Sequence, residues 1–240
     1  MRLDKYITDR KIVDSRNKAQ NLISNGFVSV NNKIKTDSSY EVKNSDIIAV
    51  NEHDDYVSRG AYKLIAAIEK FKINLKDKVI VDIGSSTGGF SQVCLINGAK
   101  RIYAIDVGKN QMHEKLRHNL RIELHEGLNF KDVKLNLFHD QIDIVVVDVS
   151  FISVTKILKK INELFTYPLK VVILVKPQFE LGKEIIKANH GVIKIKKLWD
   201  KAINIVVTFA KKLNFKINSL IESPIKGVDG NKEFLMYLDK

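Results

Sequence analysis

The chain has 240 residues, of which 45% are hydrophobic, and its formal net charge at pH 7 is +12. This apolar fraction excludes disorder over most of the chain, and the single cysteine excludes an internal disulfide and suits the reducing cytoplasm. The large positive charge favours a polyanionic partner such as nucleic acid, although a lysine-rich compositional bias would also explain it.

Residues 1–50 predict a small unit of two helices and a hairpin. The helices are "LDKYITDRKI" and "SRNKAQNLIS", and Ser15 is a suitable N-cap for the second helix. The stretch "FVSVNNKIK" predicts a hairpin that turns at Asn31 and Asn32. One face of this unit is basic, which fits RNA but also fits an ordinary solvated surface. Its cations are Arg2, Lys5, Arg10, Lys11, Arg16 and Lys18.

The polar residues 51–57 are the predicted linker to a second domain, residues 58–240. No apolar run approaches the roughly 20 residues that a membrane-spanning helix needs, and the first residues lack the apolar segment of a signal peptide. We therefore expect no stable membrane insertion and a cytoplasmic location.

Short β-branched runs alternate with helical patterns throughout the second domain. The predicted strands include "KVIVDIG", "RIYAIDV", "RIELHEG", "DIVVVDV" and "VVILVKP", and "FKINSLIESPI" with "NKEFLMYL" predicts a closing antiparallel pair. Strands that are apolar on both faces and separated by helices indicate a parallel sheet covered on both sides. The sequence therefore predicts an α/β fold with a doubly wound, mostly parallel sheet, preceded by a small α+β domain.

A glycine-rich turn, "VDIGSSTGGF", follows the first strand of this domain and opens a helix. Such turns bring backbone N–H groups close to a ligand. Ser86 stands where a dinucleotide-binding G-x-G-x-x-G fingerprint has its second glycine, so a ligand smaller than a dinucleotide fits better.

Asp106 ends the next strand, where a carboxylate can accept hydrogen bonds from both ribose hydroxyls of a nucleoside. The glycine turn and Asp106 together indicate S-adenosylmethionine. Asn129 either contacts the adenine edge or is a plain turn residue.

Two further strands end at ionisable residues, Asp148 in "VVVDVS" and Lys176 in "ILVKPQF". The carboxyl ends of parallel strands form the edge at which open α/β sheets bind ligands. Asp148 and Lys176 should therefore share this edge with Asp106. Pro177 keeps Lys176 extended and its amine directed into the crevice.

Four other residues give weaker evidence of function when each is considered alone. Lys63 lies in a helix predicted to start at Ser58, and Glu233 lies at the start of the last strand. Phe151 either stacks on an unpaired base or packs in the protein, and packing is favoured. Cys94 is expected in the core, which argues against cysteine-dependent methylation of pyrimidine C5.

The stretches "RLDKYI" and "SRNKAQNLISNGFVSVNN" resemble the S4 RNA-binding domain. The stretches "VSRGAYKL", "VDIGSSTGGF", "IYAIDVG", "VVDVSFIS", "LVKPQFE" and "KEFLMYL" resemble, in that order, the TlyA family, whose catalytic part is similar to FtsJ-type ribose methyltransferases with a Rossmann-like fold. The resemblance covers both domains and essentially the whole chain.

This resemblance implies a site and an activity. The family methylates the 2′-hydroxyl of cytidines in small-subunit (16S) and large-subunit (23S) ribosomal RNA with S-adenosylmethionine as cofactor. The implied catalytic set is Lys63, Asp148, Lys176 and Glu233. The implied cofactor-binding residues are Asp82, Gly84, Ser86, Thr87, Gly88, Gly89, Phe90, Asp106, Asn129 and Asp148. Arg59 joins the six cations of the first unit as a predicted RNA-binding residue. The oligomeric state is not predicted.

The chemistry of the reaction agrees with these residues. A ribose hydroxyl must lose its proton near the transition state, and a lysine can accept that proton only if its pKa is lowered. Lys176 is the predicted base or steering group, and the other three residues position it. No metal is predicted. The alternatives are a membrane-active hemolysin, since the family also carries that name, and a catalytically inactive ribosomal RNA-binding protein.

Overall fold

The computed structural model describes residues 1–24, 26–50, 56–227 and 229–240. Most of the predicted linker, residues 51–55, therefore lies outside the described residues. The division into domains at this point remains a prediction.

The first fifty residues form the predicted helices and hairpin. The elements are α1 (Leu3–Asp9), α2 (Arg16–Ser24), β1 (Val28–Val30), β2 (Lys33–Ile34) and β3 (Ile48–Val50). The Ser15 hydroxyl caps α2 by accepting the Lys18 N–H at 3.2 Å. Asn31 and Asn32 have φ of 51° and 61°, the left-handed pair that a two-residue hairpin loop requires.

Strand β3, which was not predicted from the sequence, pairs antiparallel with β1 and completes a sheet of order β2-β1-β3. The strand has only three residues, Ile48, Ala49 and Val50, and all are apolar, so the sequence shows no alternation of apolar and polar residues there. The helices cover this sheet through a small apolar core that includes Leu3, Ile7, Ile23 and Val28.

The second unit is built on one large sheet. Its strands are β4 (Val79–Ile83), β5 (Arg101–Asp106), β6 (Ile122–Glu126), β7 (Ile144–Val147), β8 (Lys170–Val175), β9 (Lys216–Glu222) and β10 (Phe234–Asp239). In the described part of the chain the strand order is β6-β5-β4-β7-β8-β10-β9. Neighbours from β6 to β8 are parallel, and β10 is antiparallel to both β8 and β9.

Helices cover both faces of this sheet. They are α3 (Gly60–Phe71), α4 (Gly89–Ile96), α5 (Glu114–Arg117), α6 (Val154–Leu164), α7 (Pro177–Glu180), α8 (Lys183–Ala188) and α9 (Lys196–Lys212). Successive strand residues enter opposite cores: Val81 packs with α6 and α9, whereas Ile80 packs with α3 and α4. Because both faces are buried, the strand ends are the part of the sheet left for ligands.

The predicted α/β class and the closing antiparallel pair are confirmed, with two differences in detail. Helix α3 begins at Gly60 rather than Ser58, because Ser58 contributes its carbonyl group to the first turn, accepting the Ala61 N–H at 3.2 Å, and no side chain caps the helix. The last strand, β10, lies between β8 and β9, so that Glu233 stands next to the end of β8.

Candidate active site

The glycine-rich turn connects β4 to α4 and lies against two other segments of the site. Gly84 has φ of +82°, and a Cβ atom there would lie 2.4 Å from the carbonyl oxygen of Asp148. A Cβ atom on Gly89 would lie 2.4 Å from the Ser58 hydroxyl at the start of α3. The absence of side chains therefore lets the turn approach both the end of β7 and the beginning of α3.

A cavity of about 500 Å³ opens beside this turn and extends past the ends of β5 and β6. Apolar side chains line much of it, among them Val107, Leu128 and Phe130. Of the predicted cofactor-binding residues, this cavity is lined by Gly84, Ser86, Asp106, Asn129 and Asp148. We call it the nucleoside cavity, because a carboxylate, an amide and an apolar wall suit a sugar and a base.

Asp106 in this cavity already binds the protein backbone. Its two carboxylate oxygens accept the N–H groups of Ser86 at 2.8 Å and of Gly108 at 2.7 Å. Each oxygen retains a second lone pair for a ligand hydroxyl. Asn129 caps the turn that follows β6, since its side-chain oxygen accepts the Lys131 N–H at 3.1 Å. The two readings of Asn129 are thus compatible: it is a turn residue and it lines the cavity.

Asp82 was predicted to bind the cofactor, but its side chain lies away from both cavities. Its side chain is fully buried beneath the glycine-rich turn, accepts a hydrogen bond from the Ser91 hydroxyl at 2.6 Å, and lines neither cavity of the site. Burial raises the pKa of Asp82 to about 7. Gly88 also lines neither cavity, because it faces Met112 and Leu116.

A second cavity, of about 470 Å³, adjoins the first. Lys63, Lys176 and Glu233 line it, together with the predicted cofactor residues Thr87, Gly89 and Phe90. We call it the catalytic cavity. Gly84 and Asp148 border both cavities, so the two spaces meet at the point where β4 and β7 end.

The four predicted catalytic residues form one chain of charges. Lys176 Nζ lies 2.6 Å from Asp148 Oδ1, and Lys63 Nζ lies 3.3 Å from Asp148 Oδ2. Glu233 Oε2 lies 2.8 Å from Lys63 Nζ. These side chains are between 3% and 18% exposed, so water screens the charges only weakly. The sequence places the four residues far apart, and the fold brings them together.

The electrostatic effects of this cluster have clear signs. Burial would raise the pKa of the Asp148 carboxyl, but the ammonium groups of Lys176 and Lys63 outweigh it and lower that pKa to about 2. Burial would likewise lower the pKa of Lys63, yet the charges of Asp148 and Glu233 raise it above its usual value. Lys63 is therefore held as an ammonium ion in the protein, while Asp148 is held as a carboxylate.

Three residues around this cluster were missed or misjudged from sequence. The Ser150 hydroxyl accepts a hydrogen bond from Lys176 Nζ at 2.8 Å. Phe151 was expected to pack, but it is 92% exposed, has φ of 64° and lies at the border of both cavities. Its ring meets Phe179 with centroids 5.2 Å apart. Glu180 accepts hydrogen bonds from the Ser153 hydroxyl and the Val154 N–H, which ties α7 to the start of α6.

The predicted RNA-binding cations fall into two groups. Arg2 and Arg16 bind the buried carboxylate of Asp4 at 3.1 and 3.0 Å, so they also hold α1 and α2 together. Lys18 lies 3.9 Å from Asp14. The other cations predicted to bind RNA in this unit are exposed, namely Lys5, Arg10 and Lys11.

Arg59 connects the first unit to the catalytic cavity. It is part of the cavity wall, as is Ser24 at the end of α2, and its Nε atom is buried without a hydrogen-bond acceptor among the described residues. A Cβ atom on Gly26 would lie 2.7 Å from that nitrogen. Burial lowers the pKa of Arg59. Its guanidinium is thus a donor group at the border of the two units.

Comparison with known proteins identifies the family. The FtsJ-like methyltransferase model matches residues 56–240, and the S4 domain model matches residues 1–48. Hemolysin A of Brachyspira hyodysenteriae is 40% identical over 99% of this chain and 99% of its own. The 23S rRNA (cytidine-2′-O)-methyltransferase TlyA of Campylobacter jejuni subsp. jejuni is 37% identical over the full length of both chains.

A solved structure agrees with these relatives. A Streptococcus thermophilus protein that carries a hemolysin name is 35% identical and superposes with a TM-score of 0.78, covering 100% of this chain and 88% of its own. Family models, full-length relatives and this structure all match the same two-part chain. It therefore belongs to the TlyA family, in which an S4 domain precedes an FtsJ-like methyltransferase.

Proposed function

We propose that this protein methylates the 2′-hydroxyl of a cytidine in ribosomal RNA, with S-adenosylmethionine as the methyl donor. The observation that carries the proposal is the meeting of the nucleoside cavity and the catalytic cavity at Gly84 and Asp148. A methyl group held in one cavity can there reach an oxygen held in the other. The relative from Campylobacter jejuni is named for this reaction on 23S rRNA.

The residues of the nucleoside cavity fit S-adenosylmethionine. Gly84 lets the turn approach the end of β7, where both cavities meet, and Asp106 supplies lone pairs for the ribose hydroxyls. When bound, S-adenosylmethionine supplies an electrophilic methyl group on a positively charged sulfur. Apolar residues such as Leu128 and Phe130 would exclude water from the base.

The charged cluster would orient the ribose. Lys176 Nζ is held by Asp148 and Ser150, and its third N–H, which has no partner among the described residues, would bind the 2′-oxygen. Lys63, whose raised pKa keeps it charged, would fix Asp148 and Glu233 rather than accept a proton. Positioning of the oxygen can lower the activation barrier by up to about 7–11 kcal/mol, whereas a general base raises the reaction rate by roughly 10²–10⁴-fold. Steering by Lys176 is therefore the larger proposed contribution.

Ribosomal RNA would bind across both units. The exposed cations Lys5, Arg10 and Lys11 suit phosphate groups, and Arg59 continues this positive surface into the catalytic cavity. Exposed Phe151 at the cavity border favours stacking on an unpaired base, the alternative that sequence analysis ranked second. A ribosomal substrate would place the protein in the cytoplasm.

The proposal is tested with ribosomal subunits and labelled S-adenosylmethionine. Alkaline hydrolysis of the product distinguishes the sites, because a 2′-O-methyl group protects the adjacent phosphodiester bond and a base methyl group does not. Lys176→Ala should abolish labelling but leave the dissociation constant for the cofactor unchanged, since Lys176 does not line the nucleoside cavity. The exposed Lys156→Ala serves as the matched control. Continued turnover by Lys176→Ala, or a label in a base, would refute the assignment.

The two alternatives have less support. Among the described residues, no helix is long and apolar enough to cross a membrane. An inactive RNA-binding protein would have no reason to retain four buried, mutually paired charges at the junction of two cavities, because such clusters are costly to desolvate.

A further inference from the structure

Helix α9 presents a row of hydrogen-bond donors that the proposed reaction does not use. Spacings of three or four residues place these side chains along one line of the helix. The row consists of Lys197, Lys201, Asn204, Thr208 and Lys212, all of them exposed. We call it the α9 row. At 1.5 Å per residue it is about 22 Å long.

The lysines of this row are distinguished by their alignment along one groove, together with the lack of ion pairs that they share with some other exposed lysines of the described residues. Elsewhere, Lys78, Lys100 and Lys170 lie within 3.4 Å of a carboxylate. Within the described ranges, none of the three lysines in the α9 row forms an ion pair, and Asp200, which flanks the row, pairs with none of them. A shallow groove of about 860 Å³ follows the row, with Thr155 of α6 on its other side. Asp200 also lines this groove, so its three lysines and one carboxylate leave a formal net charge of +2.

The row begins next to the catalytic edge of the sheet. Trp199, in the first turn of α9, has the Lys232 ammonium over its ring at 4.6 Å, and Lys232 directly precedes Glu233. Asn231 reinforces this connection: its side chain binds the Ile193 N–H at 2.8 Å and the Gly191 carbonyl at 3.0 Å. The row therefore runs from the catalytic edge along the side of the domain.

We infer that the α9 row is a second RNA-binding surface, which holds the phosphate backbone of a ribosomal RNA segment next to the methylated nucleotide. Lysine, asparagine and threonine donors in one line suit phosphate and sugar oxygens and carry no base specificity. This inference rests on the proposed function for the identity of the RNA. An anionic lipid surface is the competing partner, because Ile195 and Ile205 are exposed near the row.

Salt dependence of binding tests the inference. The variant K197Q/K201Q/K212Q should bind purified ribosomal subunits more weakly than the unmodified protein. Each lost phosphate contact lowers the slope of log K against log salt by about 0.7–0.9, so the slope should fall by about 2. The control K70Q/K76Q/K216Q removes the same charge from exposed lysines that also lack ion pairs among the described residues, and its slope should exceed that of the α9 variant.

The outcomes separate the two proposals. The inference is supported if the slope of log K against log salt falls in the α9 variant but not in the control, while methylation at saturating subunits is unchanged. Equal slopes for the α9 variant and the control overturn it, even if the protein methylates RNA normally. Loss of binding to phosphatidylglycerol vesicles with retained subunit binding also overturns it, in favour of lipid. If the unmodified protein fails to methylate subunits, the proposed function fails, whereas the binding slopes still decide the α9 row.

Discussion

Asp82 is a fully buried carboxyl group beneath the glycine-rich turn. Burial raises its pKa to about 7, the nearby charges of Asp148 and Asp106 add to this effect, and the hydrogen bond from Ser91 only partly offsets it. Asp82 was predicted to contact the cofactor, because the glycine-rich motif contains it. The motif does not indicate that a strand buried on both faces directs this side chain into the core.

The raised pKa predicts how stability depends on pH. Unfolded Asp82 has a pKa near 3.8, so the folded protein holds this proton more tightly between pH 4 and pH 7. The free energy of unfolding should therefore fall as pH rises through this range. The difference between these two pKa values corresponds to a loss of roughly 4 kcal/mol in the free energy of unfolding. Asp82→Asn, which is neutral at every pH, should be more stable than the unmodified protein at pH 8 and similar to it at pH 4.

Urea denaturation at several pH values measures this difference. Asp77→Asn is the control, because Asp77 is exposed and this substitution removes the same charge. If Asp82→Asn loses stability at pH 8, the carboxylate is stabilised in a way that its burial and single hydrogen-bond partner do not account for.

At the scale of elements, Glu180 joins the segments that follow β7 and β8. One of its oxygens accepts the Val154 N–H at 2.8 Å, and the other binds the Ser153 hydroxyl, so α7 holds the first turn of α6. Asp148, Ser150 and Phe151 lie in the loop just before that turn. Glu180 thereby fixes the position of this loop relative to Lys176, which directly precedes α7.

Glu180→Ala should lower the free energy of unfolding by about 1–3 kcal/mol, since it leaves the Val154 N–H without its acceptor and removes one hydrogen bond of the Ser153 hydroxyl. Turnover should fall as well, because the loop that carries Asp148 loses its support, while cofactor affinity should change less. Glu180→Gln keeps an acceptor for the Val154 N–H and should recover part of both losses. Urea denaturation and single-turnover methylation measure these effects. Exposed Glu184→Ala is the control, and equal behaviour of the two alanine variants would remove Glu180 from this role.

At the scale of the whole molecule, the pattern of hydrophobic residues predicted most of the architecture. The rule that parallel strands carry ligands at their carboxyl ends correctly brought Asp148 and Lys176 to one edge. The position of β10 between β8 and β9 could not be predicted, because a closing pair can attach to the sheet by either strand. Glu180 and Ser150 were missed because the hydrogen-bond partner of each is distant in sequence. Glu180 binds the Ser153 hydroxyl, and Ser150 binds Lys176 through its own single hydroxyl.

The two basic surfaces predict additive effects on RNA binding. K5Q/R10Q/K11Q changes exposed cations of the S4 domain, and it should lower the salt slope by about 2, as the α9 variant should. Because the two surfaces lie on different elements, α1 with the residues just after it and α9, the combined six-site variant should lose the sum of both slopes. Binding of ribosomal subunits across a salt series measures this. A combined loss no larger than either single loss would mean that the surfaces do not bind the same RNA at once.

The place of β10 in the sheet also affects when the enzyme becomes active during its own synthesis. Glu233 precedes β10, and β10 enters between two strands made earlier, so the charged cluster is incomplete until translation has passed Asp239. Before β10 is in place, Lys63 therefore lacks the carboxylate of Glu233 and keeps only its contact with Asp148. The order in which the strands join the sheet thus makes the last strand the step that completes the set of charges.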